Sequence, residues 1–198
     1  MAITLLEYSR RLNGVIDSLQ GNDFGNTMGV IGSEALAMIR KRVTGTGKDA
    51  DGSGFSAYST KDMLVGAKSF YKSAAATTFF GSKKKRRELD WVTVKGHSLA
   101  VLEGGYKKLR ELQGFQTGFV DFKLSARMWT NIKLTSDKSE LNTGVAVIKA
   151  TTDLDKAKLA GNTERKGDIL ELSKSELSRI KELYDKGVEE AFRKNQLL

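Results

Sequence analysis

The chain of 198 residues contains no cysteine, no proline and a single histidine, His97. Without cysteine there are no disulfides, thiolate metal ligands or cysteine nucleophiles, which fits a reducing compartment. Ordinary usage of about 5% would supply roughly ten prolines, and the sequence offers no physical reason for their absence. The lone histidine means that any Ser-His nucleophile system or histidine metal site must run through His97. Ser98 beside it in sequence is no sign of a catalytic hydrogen bond, and the plainer expectation is a residue joining a strand to a helix. No apolar run reaches the ~20 residues that a bilayer requires. The first twenty residues are amphipathic and interrupted by Arg10, Arg11 and Asp17, unlike a secretion signal, so a soluble, unexported chain with no membrane partner is expected.

The glycines form neither a GxGxxG pattern nor a P-loop, since Gly45-Thr46-Gly47-Lys48 lacks both the spacing and a preceding strand. Nucleotide binding has no support, and no cofactor is expected. Asp49, Asp51, Ser53 and Gly54 match positions one, three, five and six of an EF-hand loop, but position twelve is Thr60 where a bidentate glutamate is needed. Asp49, Asp51 and Ser53 are therefore a weak calcium candidate, and a plain Gly/Asp loop is the stronger expectation.

Charge is more informative. The net balance is +9, and residues 151–198 carry ten basic and ten acidic side chains, so the whole excess lies earlier in the chain. Its densest cluster is Lys83, Lys84, Lys85, Arg86 and Arg87. Five adjacent cations can neutralise several phosphates with salt-dependent, sequence-independent affinity, and Phe79, Phe80 and Trp91 are close enough in sequence to stack on bases. The same run also suits a solvated loop that meets an acidic protein.

Periodicity predicts an α+β chain: a small antiparallel sheet packed against amphipathic helices, with long first and last helices and extended loops at about 45–58 and 74–97. A single domain over 1–198 is expected, because no linker demands two. Leu5, Tyr8, Leu12, Val15, Ile16 and Leu19 mark a first helix stopped by Gly21-Asn22. A second is capped by Asn26 or Thr27, with a face of Met28, Ile31, Ala35, Met38 and Ile39, and ends near Val43. Ser59-Thr60-Lys61-Asp62 resembles a helix start before Met63, Leu64, Ala67, Phe70, Tyr71 and Ala74. Residues 91–94 suit a short strand, and Ser98 can cap a helix whose face is Leu99, Leu102, Tyr106, Leu109 and Leu112, with Gly104-Gly105 in its middle. Beyond Gly114 the period becomes alternating at Val120, Phe122 and Leu124, at Ile132 and Leu134, and at Val145 and Val147, predicting strands of one sheet with a helical turn around 126–130. Ser173 and Glu176 form a capping box ahead of Leu177, Ile180, Tyr184, Val188, Ala191 and Phe192, the last long helix.

Three landmarks occur in order: Gly54-Phe55-Ser56-Ala57-Tyr58-Ser59, then Val120-Asp121-Phe122-Lys123-Leu124-Ser125-Ala126-Arg127-Met128, then Arg165-Lys166-Gly167-Asp168-Ile169-Leu170-Glu171-Leu172-Ser173 with Glu176. Together they resemble the bacteriophage head-tail connector and tail-completion (neck) proteins. In that family a Gly-rich loop runs into Phe and Tyr-Ser, a strand precedes an "L-T-G-x-M" turn, and "R-x-x-F-x-L-S-x-x-E" opens the closing helix. Ser125 and Ala126 stand where the family has Thr and Gly. The resemblance implies a structural virion protein without enzymatic activity or cofactor. It implies a homo-oligomeric ring at the head-tail junction, between portal and other neck or tail proteins, around the DNA channel. The alternative carried by the residues is a basic nucleic-acid-binding module acting through Lys83 to Arg87.

Overall fold

The computed structural model describes residues 5–66, 89–122 and 127–197. The chain is α+β, with seven helices, a three-stranded antiparallel sheet and a two-stranded one among these residues. It divides into two compact units, residues 1–53 with 128–198, and residues 54–127.

The first unit is organised by α2 (Asn22–Thr46). Helix α1 (Leu5–Gln20) forms as its periodicity predicts and ends at Gly21, whose extended backbone makes it the N-cap of α2. The second helix thus starts four residues before Asn26. Asp23 lies in its first turn, where the dipole favours a carboxylate, and the Thr27 hydroxyl bonds back to Asp23 O at 3.3 Å as an interior residue instead of capping. The helix also outruns Val43: its C-cap is Gly47, left-handed at φ 65°, whose N–H donates to Val43 O at 3.1 Å.

Phe24, Met28, Ile31, Ala35, Leu36, Ile39 and Val43 are the buried apolar face of α2. Further elements of the unit are α4 (Arg127–Asn131), β4 (Ile132–Leu134), α5 (Lys138–Asn142), β5 (Ile148–Ala150), α6 (Asp153–Lys166) and α7 (Lys174–Lys194). Three of them, α5, α7 and β4, pack on α2 together with α1. Helix α7 carries the expected box, Glu176 N–H donating to Ser173 Oγ at 3.3 Å and Ser173 N–H to Glu176 Oε2 at 2.8 Å. Asp137 and Glu140 form a second box for α5, and Thr152 caps α6. Strands β4 and β5 pair antiparallel as their own sheet, so the strand expected at Val145 and Val147 lies a few residues later.

The second unit contains β1 (Met63–Gly66), β2 (Trp91–Val94), β3 (His97–Leu102) and α3 (Gly105–Leu112), with sheet order β1-β3-β2. Residues 63–66 are therefore a strand where a helix was expected. The start-box residues serve a turn instead, the Asp62 carboxylate accepting from Gly104 N–H at 3.1 Å and Ser59 Oγ from Lys61 N–H at 3.3 Å. Ala67, Phe70, Tyr71 and Ala74 of that expected helix lie outside the described residues, as does most of the loop expected at 74–97. Residues 98–102 are likewise strand, not helix, because β3 is the central strand with a hydrogen-bonded neighbour on each side. Val65, Ala100 and Leu102 pack on Leu109 of α3 and form the core. No strand forms at 119–122, where Phe122 takes φ 52° and interrupts extension.

Gly104 and Gly105 sit at the β3–α3 junction, not inside a helix. Gly105 has φ 58°, and a Cβ on it would lie 2.1 Å from Lys61 O, a backbone atom that cannot swing aside. Gly105→Ala should therefore cost about 2–4 kcal/mol in denaturant unfolding. Gly118→Ala, with open space around the added carbon, should stay within about 0.5 kcal/mol.

Candidate functional site

Lys83, Lys84, Lys85, Arg86 and Arg87 lie outside the described residues, together with Phe79 and Phe80. Trp91 is the first residue of β2 and is exposed. In the calcium candidate the Asp49 carboxylate accepts from Ser53 N–H at 2.8 Å, and Asp49 N–H donates to Ser53 O at 2.9 Å, closing a self-contained turn. Among the described residues no group of three or more His, Cys, Asp or Glu is placed to hold a metal ion.

His97 is not a strand-to-helix joint. It opens β3 opposite Val94, across a two-residue turn in which Lys95 (φ 49°) and Gly96 (φ 75°) both have positive φ, as a type I′ hairpin requires. Successive strand side chains point to opposite faces. His97 and Ser98 therefore diverge and form no nucleophile pair.

Among the described residues the densest polar site is one the sequence did not single out, in the second unit. Helix α3 buries Leu109 and also Arg110, and its C-cap Gln113 is buried with them, beside the half-buried Tyr106, so polar side chains occupy an apolar stripe at helical spacing. Arg110 Nη2 meets Asp121 Oδ2 at 3.0 Å, with side-chain exposures of 1% and 5%. Arg110 Nε donates to Gln116 O at 3.1 Å, and Gln116 Nε2 donates to Asp121 Oδ2 at 2.9 Å. The Tyr58 hydroxyl donates to Asp121 Oδ1 at 2.8 Å and accepts from Asp121 N–H at 3.0 Å. Above the guanidinium lie the rings of Tyr58, centroid 4.5 Å away, and Phe115 at 5.2 Å.

Burial pushes the Tyr58 hydroxyl well above the ordinary tyrosine range, and burial likewise raises Tyr106. Both hydroxyls are hydrogen-bonding groups at neutral pH, not bases. The network thus ties the Gly54–Ser59 landmark, α3 and the Val120–Phe122 landmark into one piece. Two landmark residues, Tyr58 and Asp121, were in view in the sequence, but their partnership spans 63 positions. The readable signal was an arginine at position four of a helical apolar stripe begun by Tyr106.

Two further buried carboxylates belong to the first unit. Burial raises the Glu176 carboxyl, but hydrogen bonds from Arg42 and from the Ser173 N–H outweigh it and leave the group below its ordinary value. Arg42 Nε reaches Glu176 Oε1 at 3.0 Å, while its Nη1 and Nη2 donate to Lys48 O and Glu171 O. Asp155, fully buried at the β5–α6 corner, accepts from Thr152 Oγ1 at 2.5 Å, Asn131 Nδ2 at 2.6 Å and Lys158 Nζ at 3.4 Å. The Thr152 hydroxyl and then the Asn131 amide hold it down at about 2. These arrangements fasten backbone to backbone.

No family model matches the chain, and no curated protein and no solved structure matches it either. Among the described residues no helix is long and apolar enough to cross a membrane.

Removing one partner of a buried ion pair strands the other charge. Arg110→Met should accordingly cost about 3–5 kcal/mol by denaturant unfolding, and Tyr58→Phe about 1–3 kcal/mol. An Arg110→Met loss under about 0.5 kcal/mol would contradict the network's role. Because the folded value of Asp155 lies below its ordinary 3.8, its contribution is present above that value and lost as pH falls towards 2. The stability gap between wild type and Asp155→Asn should be flat near neutral pH and shrink progressively through that acid window.

Proposed function

We propose that this chain is a structural subunit of a tailed-bacteriophage virion. It forms a homo-oligomeric ring at the head-tail junction and joins portal to neighbouring neck or tail proteins around the DNA channel. It performs no enzymatic reaction. The observation that carries this reading is the apolar face of α1. Leu5, Tyr8, Leu12 and Ile16 recur at helical spacing yet stay exposed, Leu5 at 85%, Tyr8 at 46% and Ile16 at 44%, while Val15 is the one residue of the helix that is fully buried. A contiguous stripe of this kind marks a surface that a partner covers.

A second and different apolar surface lies on α7, where the exposed Leu177 and Tyr184 fall seven residues apart on one side. Identical subunits in a ring need two unlike surfaces, since a head-to-tail interface is heterologous. The three ordered landmarks supply the family to which such a subunit would belong. A net charge of +9 suits a subunit set near DNA or against acidic neighbours.

Light scattering on the protein alone, and mixed with portal-bearing particles from the same source, should show uptake at a fixed ring-like stoichiometry. Tyr8→Glu combined with Ile16→Glu should abolish that uptake with the circular dichroism unchanged. Uptake indifferent to the double substitution would overturn the α1 interface. A monomer that ignores the particles and binds DNA with affinity falling steeply in salt would overturn the ring in favour of a nucleic-acid module built on residues 83–87.

A further inference from the structure

The two-stranded sheet of the first unit ends in an edge. Thr151 N–H donates to Asn131 O at 2.9 Å and Thr135 N–H to Val147 O at 2.8 Å. With Lys133 opposite Lys149 in the same register, the inward-bonding residues of β5 are the odd-numbered ones, because the two kinds of pair alternate in an antiparallel ladder. The N–H and C=O of Ile148 consequently turn away from β4. Among the described residues β5 has β4 as its sole strand neighbour.

Alongside that edge runs a groove of about 720 Å³, with β5 as its wall and one face of α6 as its floor. Ile148, Ala150, Leu159, Ala160, Thr163 and Leu170 are its apolar and hydroxyl lining, and Lys149, Lys156, Glu164 and Asp168 add two charges of each sign. The α6 residues recur at i, i+1 and i+4, so they share one side of the helix. An extended segment laid there would take up the Ile148 edge with backbone hydrogen bonds and set alternate side chains onto α6, the geometry of strand addition.

The groove lining is balanced in charge, and it is the lysine pair on the sheet itself that selects the occupant. In β4 the exposed residue is Lys133 between Ile132 and Leu134, and in β5 it is Lys149 between Ile148 and Ala150. The two lysines are directly opposite, on the solvent face, and neither forms an ion pair among the described residues. Like charges directly opposite disfavour a sheet. A second copy adding its own β5 antiparallel, centred on this strand, would bring a third and adverse contact, Lys149 against Lys149. That is how edge lysines block self-pairing.

The geometry points to the β5 edge as a docking site for an extended peptide strand from another protein, one with small apolar residues facing α6 and an acidic residue opposite Lys149. The carboxylate would sit beside Lys149 and within reach of Lys133, converting an unfavourable pair into a favourable triplet. The site holds whether or not the chain forms a ring, because it uses neither the α1 stripe nor α7.

The test uses the full chain, isotopically labelled, and an acetylated, amidated peptide of alternating valine and threonine with one central glutamate, compared with the same peptide carrying central lysine. Amide shifts on titration should cluster at Ile148, Lys149, Ala150, Leu159 and Thr163. The glutamate peptide should bind about tenfold more tightly than the lysine peptide, and Lys149→Glu should invert that order. Equal binding of the two peptides, shifts centred elsewhere, or no saturable shift at all would overturn the proposal. So would the same shifts appearing without peptide as protein concentration rises, which would mean that a second copy occupies the edge.

Discussion

The row of buried side chains along α2 is what the other elements of its unit rest upon. Phe24, Met28 and Ile31 form one cluster with Leu141 of α5, Ile180 and Leu183 of α7 and Leu19 of α1 packed around it. Each large apolar side chain fully buried there contributes about 1.5–3 kcal/mol. Close approach is secured by missing side chains as well: at Gly32 a Cβ would lie 2.7 Å from Leu134 Cδ1 and 3.2 Å from Ala146 Cβ. The β4–β5 layer can therefore lie almost against the α2 backbone. That placement holds the β5 edge and its groove in position, so the open edge is a by-product of how the core closes.

Polar groups divide the two units differently. In the second unit the buried arginine of α3 satisfies a carboxylate, a carbonyl and two aromatic faces, and three segments that share no strand or helix are joined through it. In the first, buried carboxylates sit at helix starts, where Glu176 serves α7 and Asp155 serves α6. Both patterns convert charge into backbone positioning. The features left facing outward are apolar side chains on α1 and α7 and an open strand edge.

What could be read from the residues was whatever is decided within a few positions. The first helix, the Ser173 box and the strand at 132–134 depend on local period and capping, and they stand where the sequence places them. The misread segments, 63–66 and 98–102, carry short unbroken apolar runs, Met63-Leu64-Val65 and Leu99-Ala100-Val101-Leu102, that suit a helix face and a strand alike, and pairing through β3 decided between them. Helices α5 and α6 went unnoticed because their sequences are mostly polar. Yet Asp137 with Glu140, and Thr152 with Asp155, are cap signals that could have marked both. The Tyr58–Arg110–Asp121 network was illegible for a different reason: no local pattern states which distant carboxylate an arginine will meet.

The contact between α2 and α7 is fastened at both ends. Arg42 meets Glu176 where α7 begins, and Lys194 meets Asp23 where α7 finishes, while nearer the second of these Gly187 lets Thr27 approach closely. Displacing one helix along the other by a single turn, about 5.4 Å, would part both ion pairs together and drive a side chain into the Gly187 gap. The strength of that joint is unequal along its length, because the Arg42–Glu176 end is buried and the Lys194–Asp23 end is open to water, so prying the helices apart should begin where α7 finishes.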